Sequence, residues 1–350
     1  MKNLLAICAF VILGILTSVY IGFGQGKDTH IEAEDRELDG LKEKYVLHFS
    51  HIVAENTPKG RAASRFAQKV EEKTDGWVEI QVHPNGILYE AQEEFEALRN
   101  HEVNFIAPAF SEIAVHEPAW MIMDLPYAFQ DYDEVNQAVN GPIGEKLFDS
   151  IDNQHYKGLD FWDNGFKQLT NDVHPLNRPD DIEGLSFRVM PSDVLDSTFS
   201  KLGGNPYVYP FNQVFSILNE DIVDGTENTL SNIYSKGFYT EQEYMTLSNH
   251  NYLGYAVLTN QSFWKSLPTE YQESIEEAMN ETTEWLNNYA KDLNQEMEDR
   301  IRSSAAIEIT ELSTEEKKIW RERLQPVYDR YEEQIGKDLM NELSSLQNDN

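Results

Sequence analysis

Three basic side chains stand out in a strongly acidic chain because their sequence neighbours are apolar or include glycine. Arg188 lies in the strand-like run GLSFRV (184–189), where an arginine is half-buried and must find an anion. Lys167 follows a strand pattern at a predicted domain crossover, and Lys59 falls in the first turn of a predicted helix. A planar guanidinium can bind a carboxylate through two hydrogen bonds, whereas an ammonium group is a compact charge. The three cations are therefore candidates for an anion-binding site.

Each of these residues also has a structural interpretation. Arg188 could form a salt bridge with one of the 61 Asp and Glu residues instead of binding a ligand. Lys59 could face solvent, as most lysines do, although a helix N-terminus also favours anions. The residues alone leave these alternatives open.

Composition excludes several classes of protein. The 350-residue chain has 28 Lys and Arg against 61 Asp and Glu, a net charge of −33, so it would repel a nucleic acid. One cysteine excludes an internal disulfide framework and any multi-cysteine metal site. There is no H-E-x-x-H, no phosphate loop and no G-x-S-x-G, and no motif indicates a catalytic carboxylate pair. We expect no metal, no cofactor and no enzymatic activity.

The amino terminus predicts a membrane segment over residues 1–26. Lys2 is followed by the uncharged stretch 4–23, and 20 residues span about 30 Å as a helix. An uncleaved anchor is favoured over a cleaved export signal and over a lipoprotein at Cys8, because the apolar run is long and no good cleavage site follows. Residues 27–44 are dense in charge and predict a tether. The body is thus expected outside the cytoplasmic membrane.

Strands and helices alternate through the body, which predicts an α/β fold with a mostly parallel sheet. The elements that must position the three cations are strands at 45–53, 158–162 and 185–189 and a helix beginning at Thr57 and Pro58. A continuous apolar stripe predicts a helix of 36 residues at 268–303, long enough to brace two domains. Ser313 and Glu316 form a capping-box pattern that begins a final helix.

A series of short motifs resembles a known family in both order and spacing. The chain carries AENTPKG (54–60), DLPY (124–127), NGFK (164–167), FRV (187–189), GGNP (203–206), FNQVF (211–215), VDGTEN (223–228), NIYSK (232–236) and NHNYLGY (249–255). Together these motifs are similar to the DctP-type solute-binding proteins of tripartite ATP-independent periplasmic (TRAP) transporters. The resemblance covers about residues 45–340, and within the family it points to the C4-dicarboxylate binders of Gram-positive bacilli.

The resemblance implies a two-lobed periplasmic-binding-protein-like (flytrap) fold, each lobe a sheet flanked by helices. Lobe I would comprise residues 45–164 and 254–292, and lobe II residues 165–253 and 293–350. The long helix would span both lobes.

The family pattern also implies roles for individual residues. Arg188 would pair with a ligand carboxylate, Asn228 would hydrogen-bond it, and Phe211 would pack over the ligand. Lys167 stands where many members have a second arginine, which resembles the dicarboxylate branch, and Lys167 or Lys59 would take the second carboxylate. Glu112, expected to be exposed, stands where sugar-acid binders keep an arginine and argues against that ligand class.

The implied function is capture of succinate, fumarate or malate between the lobes and delivery to the small and large TRAP membrane subunits. An alternative is a co-receptor that presents the dicarboxylate to a membrane sensor histidine kinase. A third class, a structural envelope protein, predicts no stabilisation by small molecules. We expect a monomer.

Overall fold

The computed structural model describes residues 44–152 and 155–348. The predicted membrane segment and, apart from Lys44, the predicted tether lie outside these residues. Within the described residues, no helix is both long enough and apolar enough to cross a membrane. The strands are β1 Tyr45–Ser50, β2 Val78–His83, β3 Phe105–Ile106, β4 Tyr156–Asn171, β5 Ser186–Val189, β6 Asn205–Val208, β7 Gly225–Thr229, β8 Tyr244–Leu247, β9 Tyr252–Asn260 and β10 Glu308–Glu311.

Helices cover both faces of these strands and connect them. Short 3-10 turns lie at Pro118–Asp124, Pro179–Ile182, Phe211–Gln213 and Phe238–Thr240. The α-helices are α1 Pro58–Lys73, α2 Ala91–Arg99, α3 Phe110–Ala114, α4 Tyr132–Val139, α5 Pro142–Asp152, α6 Asp193–Lys201, α7 Val214–Asn219, α8 Leu230–Ser235, α9 Gln261–Ser266, α10 Thr269–Ser304, α11 Thr314–Ile335 and α12 Lys337–Asn348.

The long strand β4 belongs to two sheets. Its first part pairs antiparallel with β9 as far as Phe166 opposite Tyr252, on the side of β2, β1 and β3. Its second part begins at Lys167 opposite Thr229 and pairs with β7 and β8, on the side of β5, β6 and β10. The prediction that Lys167 lies at a crossover is therefore confirmed, and one strand carries the chain between the sheets of the two lobes.

Helix α10 connects the two hydrophobic cores. Ile275 and Leu286 belong to the larger core, whereas Met297 and Ile301 belong to the smaller one beside β8. The helix packs against α1 and β4 and also against α8. The expectation of one long helix spanning both lobes is confirmed, and so is the two-lobed α/β class. The division of residues between the lobes stays a prediction, and the last helix, α12, packs against α4 and α5.

Local signals placed most element boundaries within a few residues. Thr57 caps α1 by accepting a hydrogen bond from the Gly60 amide, and Ser313 with Glu316 forms the predicted capping box of α11. The strand predicted at 158–162 was too short, since β4 runs for 16 residues. Its second half is buried throughout, so the alternation that marks a half-buried strand is absent there, and two bulges interrupt the pairing of β4 with β9.

Candidate functional site

Arg188 is buried in the second sheet, one strand in from the edge strand β6. Strand β5 lies between β6 and β7, in parallel register with Tyr207 on one side and Thr226 on the other. The side chain is 2% exposed, and its Nε and Nη2 atoms donate to the carbonyl of Tyr209 at 3.0 and 2.8 Å. Nη1 is buried without a hydrogen-bond partner among the described residues. One donor face of the guanidinium is therefore engaged, and the other has an unsatisfied buried donor.

The charge of Arg188 is only partly compensated by its surroundings. Burial lowers the pKa of the guanidinium to about 10, while the carboxylates of Glu227 and Glu112 act in the opposite direction. Arg188 therefore remains protonated at neutral pH. No carboxylate forms an ion pair with it among the described residues, so the structural salt bridge considered for this residue is not observed.

Arg188, Asn228 and Phe211 line one small cavity. Asn228 lies on β7, and its amide oxygen accepts from the Thr229 amide and from Asn232 Nδ2, both at 2.9 Å. These two bonds orient the Asn228 side chain. The cavity holds about 20 Å³, space for a single water molecule. Its walls are completed by Ile52, Val53, Ala109, Glu112, Met190, Asn232, Leu253 and Tyr255.

A larger cavity of about 340 Å³ adjoins the small one. Ile52, Glu112, Arg188 and Phe211 line both, so the two form one cleft with an inner and an outer part. The walls come from β-strand ends and loops of both sheets, as is usual for ligand sites in α/β proteins. At the mouth, Asn212 Nδ2 donates to Glu90 Oε1 at 3.0 Å.

Lys167 does not line either part of the cleft in this structure. Its side chain is fully buried, and its ammonium group lies 2.9 Å from Glu227 Oε2, with Oε1 of the same residue at 3.2 Å. His250 Nε2 lies 3.7 Å from Glu227 Oε2. Successive residues of a strand face opposite sides, so Asn228 faces the cavity with Arg188 while Glu227 faces Lys167. We call Lys167, Glu227 and His250 the crossover trio.

Direct contact decides the charge state of the crossover trio. Burial alone would raise the pKa of Glu227, but Lys167 and His250 outweigh it, and the pKa of Glu227 lies below its usual value. Burial lowers the pKa of His250, and Glu227 only partly opposes this shift. Glu227 is accordingly an ionised partner of Lys167.

Lys59 is buried rather than solvent-facing. Its ammonium group donates to the carbonyl of Ala107 at 2.8 Å and lies 3.9 Å from the centre of the Tyr255 ring. Since Tyr255 lines the inner cavity, Lys59 is one side chain behind the wall. Burial lowers the pKa of Lys59, and the nearby carboxyl groups of Glu112 and Glu94 act against this.

Two buried carboxyl groups surround Lys59 without pairing directly with it among the described residues. Glu94 accepts from the Ser50 hydroxyl at 2.7 Å, and burial raises the pKa of Glu94 to about 8. Burial also raises the pKa of Glu112, against the attraction of Lys59, the Ala109 amide and Arg188. Because its pKa is about 8, Glu94 is mostly protonated at neutral pH. We call Lys59, Glu94 and Glu112 the lysine–glutamate cluster.

The expectation that Glu112 is exposed was wrong. Glu112 is 6% exposed and lines both parts of the cleft. It occupies the third position of α3, where its carboxylate accepts from the Ala109 amide at 2.8 Å, so the helix start turns the side chain inward. The apolar neighbours Phe110 and Ile113 were a usable signal of burial. Tyr255, Asn232 and the Tyr209 carbonyl were also missed, and no residue pattern marks a backbone acceptor.

The described residues contain no cluster of three or more His, Cys, Asp or Glu side chains arranged to hold a metal ion. The cleft instead combines apolar walls with an unsatisfied guanidinium donor and an oriented amide. Such a site suits a small organic anion. The fold and the cleft together define a two-lobed solute-binding protein.

Comparison with known proteins gives the family. The chain belongs to the DctP family of bacterial extracellular solute-binding proteins, family 7, whose model matches residues 49–334. It is 48% identical over 349 residues to the C4-dicarboxylate-binding protein DctB of Bacillus subtilis, covering 100% of both chains. The resemblance drawn from the ordered motifs is thereby confirmed.

Solved structures agree with this assignment. A TRAP periplasmic solute-binding protein from Shewanella oneidensis, with bound succinate, is 38% identical with a TM-score of 0.84, covering 87% of this chain and 99% of that one. Another from Pseudomonas aeruginosa, with bound L-malate, is 32% identical with a TM-score of 0.80, covering 82% and 100%.

Proposed function

We propose that this protein captures a C4-dicarboxylate such as succinate, fumarate or malate in the cleft. The observation that carries the proposal is the buried, unpartnered Nη1 atom of Arg188 at a cavity shared with Asn228 and Phe211. A carboxylate there would satisfy this donor, and a charge-assisted hydrogen bond contributes about 1.5–3 kcal/mol. The C4-dicarboxylate named for the Bacillus subtilis relative and the ligands of the two structures support this ligand class.

For the second carboxylate, we propose that Lys59 supplies the main positive charge from behind the cleft wall, and that Lys167 contributes less because the contacting Glu227 offsets its charge. Both ammonium groups are buried and engaged elsewhere, Lys167 with Glu227 and Lys59 with the Ala107 carbonyl. A buried charge acts over several ångströms because little water screens it. Lys167, Lys59, Arg188, Asn228 and Phe211 thus remain our candidate site residues, with Arg188 as the direct anchor.

The remaining parts of the function concern the membrane. We propose that the ligand favours a closed form because it touches both lobes at once, and that this form is recognised by the TRAP membrane subunits. Residues 1–26 would hold a monomeric body at the outer face of the cytoplasmic membrane. The protein would act as a carrier without catalytic activity. Presentation to a sensor kinase would use the same cleft and differ only in the partner.

The test is thermal unfolding of the chain with a panel of succinate, fumarate, malate, pyruvate and sialic acid. A ligand at 100 times its dissociation constant adds about 2.7 kcal/mol, which raises the melting temperature by a few degrees. We expect a shift with the C4 dicarboxylates alone. Arg188→Ala should abolish the shift, whereas Arg61→Ala, which removes an exposed arginine of α1, should retain it.

Two outcomes would contradict the proposal. A shift with pyruvate or sialic acid but not with dicarboxylates would mean that the ligand class is wrong. An undiminished dicarboxylate shift in Arg188→Ala would mean that the ligand binds elsewhere.

A further inference from the structure

Glu112 places an acidic group in the wall of a cavity that we propose receives a dianion. It lines the cleft beside Arg188, yet no basic side chain forms an ion pair with it among the described residues. Its carboxyl group is held in place by the hydrogen bond from the Ala109 amide. A plain repulsive carboxylate at this position would oppose binding, so its protonation state matters.

The charged and titratable groups that face Glu112 come from four elements. They are Lys59 on α1, Glu94 on α2, Arg188 on β5 and Tyr255 on β9. Glu90 and Glu93 also line the outer part of the cleft, but both are exposed to solvent, so we leave them out of the buried charge balance. Glu94 and Tyr255 are neutral near pH 7, since burial raises the pKa of both. Lys59 donates to the Ala107 carbonyl and lies over the Tyr255 ring, contacts that suit an ammonium group, so we count Lys59 and Arg188 as the two cations of this enclosure. The neighbouring Lys167 and Glu227 cancel each other.

These charges balance for only one protonation state of the complex. With a bound dianion, the two cations are neutralised by the ligand, and an ionised Glu112 would leave one excess negative charge. An uncompensated charge in a buried site is strongly unfavourable, and a carboxyl group avoids it by binding a proton. Resting on the proposed function, we propose that the protein takes up one proton when it binds a dicarboxylate, and that Glu112 holds this proton.

The effect of a bound carboxylate on the pKa of Glu112 has the direction that this proposal requires. In the free protein Arg188 is one of the groups that pull the pKa of Glu112 down, against the larger effect of burial. A carboxylate bound to Arg188 cancels that pull and adds its own repulsion, so the pKa of Glu112 rises further on binding. The protonated carboxyl also becomes an O–H donor in the cleft, able to donate to a ligand oxygen.

Titration calorimetry of succinate binding in two buffers measures the proton directly. At about pH 7 succinate is a dianion and Glu94 is mostly protonated, and HEPES and Tris differ in ionisation enthalpy, so the difference in heat gives the number of protons bound. We expect uptake approaching one proton over part of the range from about pH 6 to 9. Above the pKa of Glu112 in the free protein, affinity should fall up to tenfold for each pH unit.

Substitutions of single carboxyl groups test whether Glu112 is the residue that binds the proton. Glu112→Gln keeps an acceptor for the Ala109 amide, and we expect it to bind succinate without proton uptake and with an affinity independent of pH. Glu94→Gln should keep the uptake near pH 7, because Glu94 is already neutral there. Glu96→Gln, which alters an exposed residue of the same helix, is the matched control and should behave as the wild type.

Failure of this inference and failure of the proposed function look different. Succinate binding by the wild type with no proton uptake throughout the range overturns the inference and leaves the proposed function standing. Uptake that persists in Glu112→Gln overturns the assignment to Glu112. If the wild type binds no C4-dicarboxylate at all, the proposed function itself is wrong, and this inference is overturned with it.

Discussion

Two groups of buried charges lie close to the cleft, and they differ in how the charges of their carboxyl groups are compensated. In the crossover trio, Lys167 contacts Glu227 at 2.9 Å, and the pKa of Glu227 is depressed. In the lysine–glutamate cluster, Lys59 makes no direct ion pair among the described residues, and burial raises the pKa of both Glu94 and Glu112. Contact geometry, rather than burial alone, therefore decides whether a buried carboxyl group is ionised.

The presence or absence of a contacting cation suits the two groups of charges to different roles. A contacting ion pair is held in one charge state and suits a structural position such as the point where β4 leaves one sheet for the other. Carboxyl groups without a contacting cation remain titratable, which suits a cavity wall whose charge must adjust to a ligand. Experiments that remove single members of each group can break or sharpen this comparison.

The largest effect is expected from Lys167→Met. This change leaves the buried Glu227 carboxylate without its cation, and breaking a buried pair costs about 3–5 kcal/mol. The free energy of unfolding, measured in urea at pH 7, should fall accordingly. Lys44→Met removes a lysine whose pair with Glu79 is exposed, and its unfolding should match the wild type. Equal, small effects of the two substitutions would mean that the crossover pair does not stabilise the fold.

A slightly smaller loss is expected from Gly165→Ala, two residues before Lys167. Gly165 has φ +156°, and a Cβ atom would lie 2.7 Å from Asn294 Nδ2 and 2.9 Å from the Tyr132 hydroxyl. We expect about 2–4 kcal/mol of destabilisation from this overlap and the backbone strain together.

Gly76→Ala measures the cost of backbone strain without steric overlap. Gly76 has φ +78° with nothing within 4 Å of the added Cβ, so only the backbone contributes and about 1–2 kcal/mol is expected. If Gly165→Ala and Gly76→Ala lower the free energy of unfolding by the same amount, β4 is not tightly packed around Gly165.

The third expected effect is a dependence of the free energy of unfolding on pH, with opposite sign for Glu94 and for Glu227. The pKa of Glu94 is about 8 when folded and about 4.3 when unfolded, so the folded state binds the extra proton between these values. Its contribution to stability is complete below the unfolded pKa and is lost as the pH rises through about 8, by at most ~1.4 kcal/mol per pH unit. Glu227, with a depressed pKa, contributes stability above its unfolded pKa and loses it as the pH falls through the folded pKa.

Unfolding free energies from about pH 2 to 9 check these signs. Glu94→Gln should flatten the decline between about pH 4 and 8, and Glu227→Gln should flatten the decline below about pH 4. An unchanged slope between about pH 4 and 8 in Glu94→Gln would mean that Glu94 is ionised in the folded protein, which removes the contrast between the two groups.

Sequence patterns predicted the scaffold of the site better than its chemistry. Periodicity and caps located α10 and α11, and the ordered motifs indicated the two-lobed fold, because such signals are local or depend on order along the chain. The partners of Lys167 and Lys59 were not predicted. Glu227 lies 60 residues after Lys167 and one residue before Asn228 on the same strand. Which of two neighbouring carboxyl or amide groups faces the cleft depends on strand register, and register is set by pairing across the sheet.

Composition also gave the wrong expectation for the burial of charged side chains. In a chain with 61 acidic residues, an exposed carboxylate is the ordinary expectation, yet Glu94, Glu112 and Glu227 are all buried. Lys59 likewise sits in a helix start whose sequence looks solvent-facing, yet its ammonium group contacts the Ala107 carbonyl and the Tyr255 ring.

The most direct test of the central claim is a crystal structure of the protein grown with succinate. We predict one ligand carboxylate within hydrogen-bonding distance of Arg188 Nη1 and of the Asn228 amide, with Phe211 against the carbon chain. The Lys167–Glu227 pair should remain intact behind the wall. Succinate bound away from Arg188, or a guanidinium still held only by the Tyr209 carbonyl, would contradict the account.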